Sequence, residues 1–104
     1  MSLSIVYITL VAPRALEEKL IESLMEHEAT AAAGFIAREV VAYGLHVPFR
    51  NIAEQISGRV QEVEVTALLS ADSAQDLIDH LGRALQGQRI TYRMSSVTTM
   101  GSIA

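Results

Sequence analysis

The side chains best suited to ligand chemistry in this sequence are its arginines, of which there are seven against a single lysine. Backbone N–H groups of glycine lie close in sequence to a guanidinium in the segments Gly58-Arg59 and Gly87-Gln88-Arg89. This combination suits phosphate or carboxylate anions. We therefore predict an anion-binding site. Its candidate residues are Arg38, Gly44, His46, Arg50, Gly58, Arg59, Gly87 and Arg89. Ion pairing across a sheet is the alternative role of these arginines, with Glu39, Glu62 and Glu64 as acidic partners.

Metal chemistry has few candidate ligands here. The chain has no cysteine, so it forms neither a disulfide nor a thiolate zinc site. His27, His46 and His80 are its only histidines, and no H-x-H or H-E-x-x-H spacing occurs. We expect no metal site within one chain and no bound cofactor. A symmetric trimer could still gather copies of His46, Met94 or Met100 around its axis, where thioether ligands would favour Cu(I).

The sequence offers even less support for catalysis than for metal binding. Glu62 and Glu64 alternate along one predicted strand, and a solvated surface explains them more simply than an acid–base pair does. The nucleophile motif G-x-S-x-G is absent from the sequence. We therefore predict a protein that binds rather than one that catalyses, with a small enzyme as the least favoured alternative.

Length and composition predict one small domain that spans residues 1–104. Half of the 104 residues are hydrophobic and 19% are charged, which is too apolar for a disordered chain. The net charge of −4 argues against a nucleic-acid binder, since such proteins need a basic surface. The apolar start, Leu3 to Ala12, lacks a basic flank and is shorter than the roughly 20 residues that cross a bilayer. We expect a cytoplasmic protein that is not inserted in a membrane.

The sequence contains one internal repeat with an offset of 57 residues. Five identical pairs carry it, and conservative pairs accompany them. The identical pairs are Val6 and Val63, Thr9 and Thr66, Leu20 and Leu77, Ile21 and Ile78, and Leu24 and Leu81. We interpret the two halves as copies of one strand–helix–strand unit.

Hydrophobic periodicity predicts the elements of each copy. The first copy has a strand at 5–11, a helix opened by Pro13 and Arg14, an exit of small residues at 29–34 and a strand at 35–43. The second has a strand at 63–69, a helix capped by Asp72 or Ser73, a turn at 86–88, a strand at 89–97 and a tail at 98–104. The order βαββαβ with right-handed crossovers predicts an α+β, ferredoxin-like split βαβ sandwich. Its sheet order would be 4-1-3-2, with both helices on one face.

The other face of such a sheet has no helix to cover it. Apolar residues in the strands are numerous enough for both faces. They include Val6, Ile8, Leu10, Val41, Leu68 and Met94. An uncovered apolar sheet face favours an interface between subunits, so we predict a closed homo-oligomer, a trimer rather than a dimer.

Residues 44–59 form a connection of sixteen residues, whereas a tight hairpin needs two to five. Asn51 and Glu54 have capping-box spacing, which favours a short helix within this segment. The segment is either a packed connector or a loop that binds a ligand or a partner. Its candidate partner-binding residues are Phe49, Ile52, Glu54 and Gln55.

Several short segments carry a family resemblance. They are Val11-Ala12-Pro13, Leu16-Glu17-Glu18, Gly34-Phe35, Gly44, Ala53-Glu54-Gln55-Ile56-x-Gly58-Arg59, Val97 and Gly101. Together they resemble an uncharacterised bacterial PII-like family, in the superfamily that also contains CutA-type proteins. The resemblance covers nearly the whole chain, and its most specific part is the segment 53–59.

The resemblance implies a ferredoxin-like trimer in which residues 44–59 take the place of the PII T-loop. It also implies small-molecule binding in clefts between subunits, docking of the loop on a membrane transporter or an enzyme, and a role in heavy-metal efflux. Two features depart from PII proteins. The glycine-rich phosphate turn is reduced to Gln86-Gly87-Gln88-Arg89, and the loop contains no tyrosine for uridylylation. A CutA-like protein that binds divalent or copper ions is the alternative.

Overall fold

A computed structural model describes residues 4–44 and 59–104. Within these ranges the strands are β1 (Ile5–Pro13), β2 (Ile36–Tyr43), β3 (Arg59–Ser70) and β4 (Thr91–Ser96). The helices are α1 (Glu17–Glu26), α2 (Glu28–Ala33) and α3 (Ala71–Ala84), and a 3-10 turn (Arg14–Leu16) precedes α1. The described elements therefore follow the order β1-α1-α2-β2-β3-α3-β4.

The strands form one antiparallel sheet in the order β2-β3-β1-β4. This is the predicted order 4-1-3-2 counted from the other edge, so the ferredoxin-like α+β fold is confirmed. Thr9 on β1 pairs with Thr66 on β3. Because these threonines occupy equivalent positions of the 57-residue repeat, the pseudo-two-fold axis of the chain passes between them at the centre of the sheet.

The hydrophobic core lies between one face of the sheet and the helices. On β1 the alternate residues Ile8, Leu10 and Ala12 are buried in this core, and Thr9 between them is buried on the other face of the sheet. Strand β3 and the two longer helices supply most of the remainder. Those residues are Leu20, Leu24, Val63, Val65, Ala67, Leu69, Ala74, Leu77 and Leu81. Burial of one such leucine contributes roughly 1.5–3 kcal/mol, so this layer holds the helices against the sheet.

Pro13 and Arg14 open the first helical segment as predicted, but they do so through a 3-10 turn and not as the first residues of α1. Pro13 is the last residue of β1, with φ −56° and ψ 142°, and α1 begins only at Glu17 after the 3-10 turn. Proline fixes φ at a value that suits both a helix start and an extended strand end. The pairing of Pro13 with Glu62 on β3 selects the extended conformation.

We predicted that the small residues at 29–34 lead out of the first helix. This prediction is wrong, because most of them belong to a second helix, α2. Alanine has the highest helix propensity, and Glu28 places a carboxylate in the first turn, where the helix dipole favours it. His27 separates α1 from α2 by adopting φ −84° and ψ 107°. Gly34 ends α2 at φ 82°, a left-handed conformation that favours glycine.

Helix α3 is capped by Ser70, whose hydroxyl accepts a hydrogen bond from the N–H of Ser73 at 3.1 Å. The predicted caps Asp72 and Ser73 are therefore wrong, since both lie inside the first turn. Strand β4 begins at Thr91 rather than at residue 89. The residues between α3 and β4 reverse the direction of the chain instead.

Strand register decides which apolar residues face away from the helices. Of the six that we expected to serve two sheet faces, only Leu68 lies on the face away from the helices, called here the open face. The other five share the register of the core residues and are Val6, Ile8, Leu10, Val41 and Met94. The open face combines exposed Tyr7, Ile36 and Leu68 with the charged pair Arg38 and Glu64. It is a mixed surface rather than an apolar one.

Candidate functional site

Four of the candidate anion-binding residues lie toward one end of the sheet, where β1 and β2 end and β3 and β4 begin. Arg38, the fifth candidate that the structure describes, lies farther back on β2. Gly44 and Arg59 adjoin the β2–β3 pair, whereas Gly87 and Arg89 precede β4 at the other edge. Two inner strands separate the edges. With a strand spacing of about 4.8 Å, β2 and β4 are roughly 14 Å apart. One chain therefore does not gather these residues around a single small anion.

The connection from α3 to β4 is a tight turn. Leu85 ends the helix, and the N–H of Gln88 donates to the carbonyl oxygen of Leu85 at 3.1 Å. Gly87 has φ 83°, a conformation that glycine adopts without strain and L side chains rarely adopt. This turn leaves Arg89 exposed beside the backbone of Gly87. We call Gly87, Gln88 and Arg89 the anion rim.

A cavity of about 210 Å³ lies next to this turn, between helix α3 and strands β1 and β4. We call it the α3–β4 cavity. Its walls are mainly apolar. The apolar residues are Leu10, Ile78, Leu81, Leu85, Ile90 and Tyr92. Exposed Gln86 and Gln88 contribute polar groups, and Gly82 presents helix backbone without a side chain. The cavity suits an apolar group, whereas the anion rim beside it suits a charged one.

Arg38 lies on β2 and pairs with Glu64 on the neighbouring strand. Arg14 makes a similar contact, since its Nη1 donates to Oε1 of Glu39 at 2.8 Å and its Nε donates to the carbonyl oxygen of Glu62. In a single chain, Arg38 therefore makes an ion pair across the sheet. This is the role that the sequence offered as the alternative to anion binding. Binding of an anion by Arg38 would compete with Glu64.

Seven candidate residues lie in 45–58, outside the described residues. They are the anion-site candidates His46, Arg50 and Gly58 and the partner-binding candidates Phe49, Ile52, Glu54 and Gln55. The short helix predicted from Asn51 lies in the same range. On the described side, Tyr43 pairs with Arg59, which makes Arg59 the first residue of β3 rather than a loop residue. The connection between β2 and β3 is accordingly 44–58.

A largely buried polar cluster joins the α1–α2 junction to α3, and it was not expected from the sequence. His27 is only 7% exposed, with Nδ1 2.8 Å from the hydroxyl of buried Thr30 and Nε2 2.8 Å from Oδ2 of Asp76. The ring of His80 lies 5.6 Å from that of His27. Nε2 of His80 donates to the carbonyl oxygen of Ser23 at 3.2 Å, because a carbonyl only accepts.

The repeat contains the signal that could have revealed part of this cluster. Ser23 and His80 are 57 residues apart, so they occupy equivalent positions of the two copies. They meet between the helices as Thr9 and Thr66 meet within the sheet. Residues equivalent by the repeat are thus contact partners near the pseudo-two-fold axis. His27 and Asp76 are not related in this way, and only the folded chain brings them together.

Metal ligands are not clustered in the described parts of the chain. Among residues 4–44 and 59–104, no group of three or more histidine, cysteine, aspartate or glutamate side chains could hold a metal ion. The weak candidates Met94 and Met100 are exposed, on β4 and in the segment 97–104, and His46 lies outside the described residues. In these same ranges no helix has both the length and the apolar character needed to cross a membrane.

The family model DUF3240, described as a protein of unknown function, matches residues 2–104. The chain belongs to this family. Membership agrees with the resemblance to an uncharacterised PII-like family that the sequence motifs indicated. No curated protein matches the chain.

Solved structures with the same fold include another member of the family and two PII proteins. The DUF3240 protein of Shewanella baltica OS155 is 14% identical over 100% of both chains, with a TM-score of 0.75. CPII of Thiomonas intermedia K12, a nitrogen regulatory PII-like protein bound to ADP, AMP and bicarbonate, is 10% identical over 96% of this chain and 97% of its own, with a TM-score of 0.67. GlnK of Bacillus subtilis, in a complex with ATP, is 14% identical over 93% of this chain and 86% of its own, with a TM-score of 0.66. These likenesses establish a PII-like fold.

Proposed function

We propose that the protein is a non-catalytic, PII-like regulatory protein that works as a homotrimer and binds a small anionic ligand in clefts between its subunits. The observation that carries this proposal is the division of the candidate site between the β2 edge, near Gly44 and Arg59, and the β4 edge, near Gly87 and Arg89. In a closed ring, the β2 edge of one copy meets the β4 edge of the next. Such head-to-tail contacts would join the two half-sites in every cleft.

The anion rim supplies the recognition chemistry. Arg89 offers a guanidinium fork, and the backbone of Gly87 approaches a ligand without a side chain in the way. The ligand therefore carries phosphate or carboxylate oxygens. The PII-like relatives support this class, since the structures of CPII and GlnK contain ADP, AMP and bicarbonate or ATP.

The open face supplies the subunit contact in this proposal. Tyr7, Ile36 and Leu68 form its apolar part, and Arg38 with Glu64 forms a charged border. An apolar centre with a polar rim is the usual composition of a protein interface.

Residues 44–58 take the position of the PII T-loop in this proposal. We assign partner binding to this segment, through Phe49, Ile52, Glu54 and Gln55. The partner is a membrane transporter or efflux component, and the protein acts on it from the cytoplasm. Ligand binding at the adjoining cleft would change how the segment is presented, which gives the trimer its regulatory function.

Calorimetric titration tests the ligand site. We expect at least one of bicarbonate, phosphate, AMP, ADP and ATP to bind the purified protein, and Arg89→Gln to weaken that binding at least tenfold. Arg83→Gln is the matched control, because Arg83 is an exposed arginine in the last turn of α3, outside the turn that carries Gly87 and Arg89. If none of the five ligands binds, or if both variants weaken binding equally, the site is not the one proposed.

Light scattering after size exclusion tests the trimer. A single species of three chains is expected for the wild-type protein, and a monomer would contradict the proposal. Leu68→Arg places a charge in the apolar part of the open face and should shift the protein toward monomers. Met25→Arg is the control, since Met25 is exposed on α1, away from that face.

A further inference from the structure

Two threonines and an arginine lie side by side across the open face. Thr66 on β3 pairs with Thr9 on β1, and Thr9 pairs with Arg93 on β4. Residues that are paired across strands project from the same face of a sheet, so these three side chains form one line over three adjacent strands. We call them the threonine–arginine row. The row offers two hydroxyl groups and one guanidinium.

The two threonines form the floor of a depression in the open face. Thr9 is 4% exposed and Thr66 is 8% exposed, although no helix covers this side of the sheet. Tyr7 and Leu68, paired with each other in the next row, are taller and much more exposed. Thr66 also lines a cavity of about 350 Å³ beside these two side chains. A small group can therefore reach the hydroxyls between apolar walls, where electrostatic interactions are stronger than in open water.

The donors of the row have no acceptor within their own subunit. Among residues 4–44 and 59–104, no carboxylate forms an ion pair with Arg93, and neither threonine hydroxyl makes a hydrogen bond. Every fully enclosed side-chain oxygen or nitrogen in these ranges has a partner, so both hydroxyls reach the surface. Glu64, which belongs to the row on the other side, is already paired with Arg38. The row therefore presents hydrogen-bond donors and an uncompensated positive charge.

We propose that the threonine–arginine row binds a compact inorganic oxyanion such as phosphate, sulfate or bicarbonate. Paired threonines have Cβ atoms about 4.5–5.5 Å apart. Two hydroxyls at this separation can donate to one anion, because each O–H···O hydrogen bond is about 2.5–3.0 Å long. Arg93 on the outer strand closes over the same anion with its guanidinium fork. All the donors belong to one chain, so the site is complete in a single subunit.

This site is separate from the anion rim. The rim precedes β4 and adjoins the α3–β4 cavity, which lies on the helix side of the sheet. Arg93 lies within β4 and projects from the opposite side, together with Thr9. Binding at one site is therefore measurable when the other has been removed.

An anion in the row would also affect assembly, and this consequence, unlike the site itself, rests on the proposed function. In the proposed ring the open face is the subunit contact, where burial of an uncompensated guanidinium is costly. A bound oxyanion neutralises Arg93. The trimer should therefore persist at protein concentrations at least tenfold lower in phosphate than in chloride of equal ionic strength. Light scattering measures this difference, and its absence would contradict the coupling to assembly.

Calorimetric titration with inorganic phosphate tests the site directly. The variant Arg89→Gln weakens the anion rim, so the phosphate binding that it retains reports on the open face. Adding Arg93→Gln to this variant should weaken the retained binding at least tenfold. Arg83→Gln in the same background is the control, because Arg83 is exposed on α3 at the other side of the sheet. Phosphate binding that is absent from Arg89→Gln, or that Arg93→Gln leaves unchanged, overturns the inference.

Valine substitutions test the hydroxyls without changing the charge. Thr9→Val and Thr66→Val each remove one hydroxyl while keeping a residue of similar size that favours strands. In the Arg89→Gln background each should weaken phosphate binding at least threefold. Thr99→Val, beyond the end of β4, should leave it unchanged. Far-UV circular dichroism confirms that the variants are folded, and equal binding by all three would show that the threonines are not ligands.

The outcomes separate this inference from the proposed function. A wild-type monomer that binds phosphate through Arg93 contradicts the trimer and leaves the oxyanion site standing. Loss of the trimer in Arg93→Gln, with phosphate binding unchanged, overturns the site and assigns to Arg93 a carboxylate of a neighbouring copy instead. Loss of phosphate binding in Arg89→Gln alone supports the anion rim and overturns the site on the open face.

Discussion

Nε2 of His27 lies 2.8 Å from Oδ2 of Asp76, and this contact joins two parts of the chain that are 49 residues apart in sequence. His27 stands between α1 and α2, while Asp76 lies on α3. The contact therefore ties the two halves of the helix layer together at a buried imidazole. The other ring nitrogen of His27, Nδ1, lies 2.8 Å from the hydroxyl of Thr30, which is fully buried.

Replacement of His27 should destabilise the fold more than any change to its exposed partner. His27→Ala leaves the Thr30 hydroxyl buried without its partner and creates a void, so we expect the free energy of unfolding to fall by about 2–3 kcal/mol. Asp76→Asn retains a carbonyl oxygen that accepts from Nε2 and should cost no more than about 1 kcal/mol. Urea denaturation measures both, and equal losses would contradict the role given to Thr30.

Equivalent leucines of the two repeat copies should contribute equally. Leu20 on α1 and Leu77 on α3 are both fully buried in the same core. We expect Leu20→Ala and Leu77→Ala each to lower the free energy of unfolding by about 2–5 kcal/mol and to agree with each other within about 1 kcal/mol. Met25→Ala, at an exposed position, should change it by no more than about 0.5 kcal/mol. Chemical denaturation is the measurement, and a large difference between the leucines would argue against a symmetric core.

Three glycines should respond to alanine in two opposite ways. Gly82→Ala adds a Cβ that meets nothing within 4 Å in a helix, so the melting temperature should rise, by an amount equivalent to roughly 0.5–1 kcal/mol. Gly34 and Gly87 have φ of 82° and 83°, and alanine there should cost roughly 1–2 kcal/mol of backbone strain. Thermal unfolding followed by circular dichroism distinguishes the two signs. A loss of stability in Gly82→Ala would mean that the cavity does not tolerate a methyl group.

The hydroxyl of Ser70 should matter more than that of Ser73. Ser70→Ala removes the acceptor that caps α3 and should cost about 1 kcal/mol. Ser73→Ala leaves the backbone N–H that donates to Ser70 in place and should cost less than about 0.5 kcal/mol. Comparing the urea midpoints of the two variants tests the assignment. The reverse order would restore the cap predicted from the sequence.

The chain topology could be predicted because the repeat is visible without a structure. Val6 and Val63, or Leu20 and Leu77, mark equivalent strands and helices, and two strand–helix–strand units have few ways to share one sheet. The alternation of Val63, Val65, Ala67 and Leu69 with more polar residues is likewise a local pattern. The order β2-β3-β1-β4 followed from these two signals.

The boundaries of several elements could not be predicted, because their local signals suit two conformations. Pro13 ends β1 and also caps the 3-10 turn that leads into α1, so its local signal does not show where α1 itself begins. Residues 29–33 look like a flexible exit by composition, yet alanines continue as a helix once Thr30 is buried against the core. The cap of α3 shifted for a similar reason, since Ser70 is also the last residue of β3.

The sequence by itself determined the number, type and order of the main strands and longer helices, because the periods of strands and helices are properties of neighbouring residues. Only the tertiary structure decided which side chains meet. Strand register set Met94 toward the helices and Leu68 on the open face, and helix docking brought His27 to Asp76. It also placed Arg59 and Arg89 toward opposite edges of the sheet. These outcomes depend on contacts between residues far apart in the chain, which no local pattern encodes.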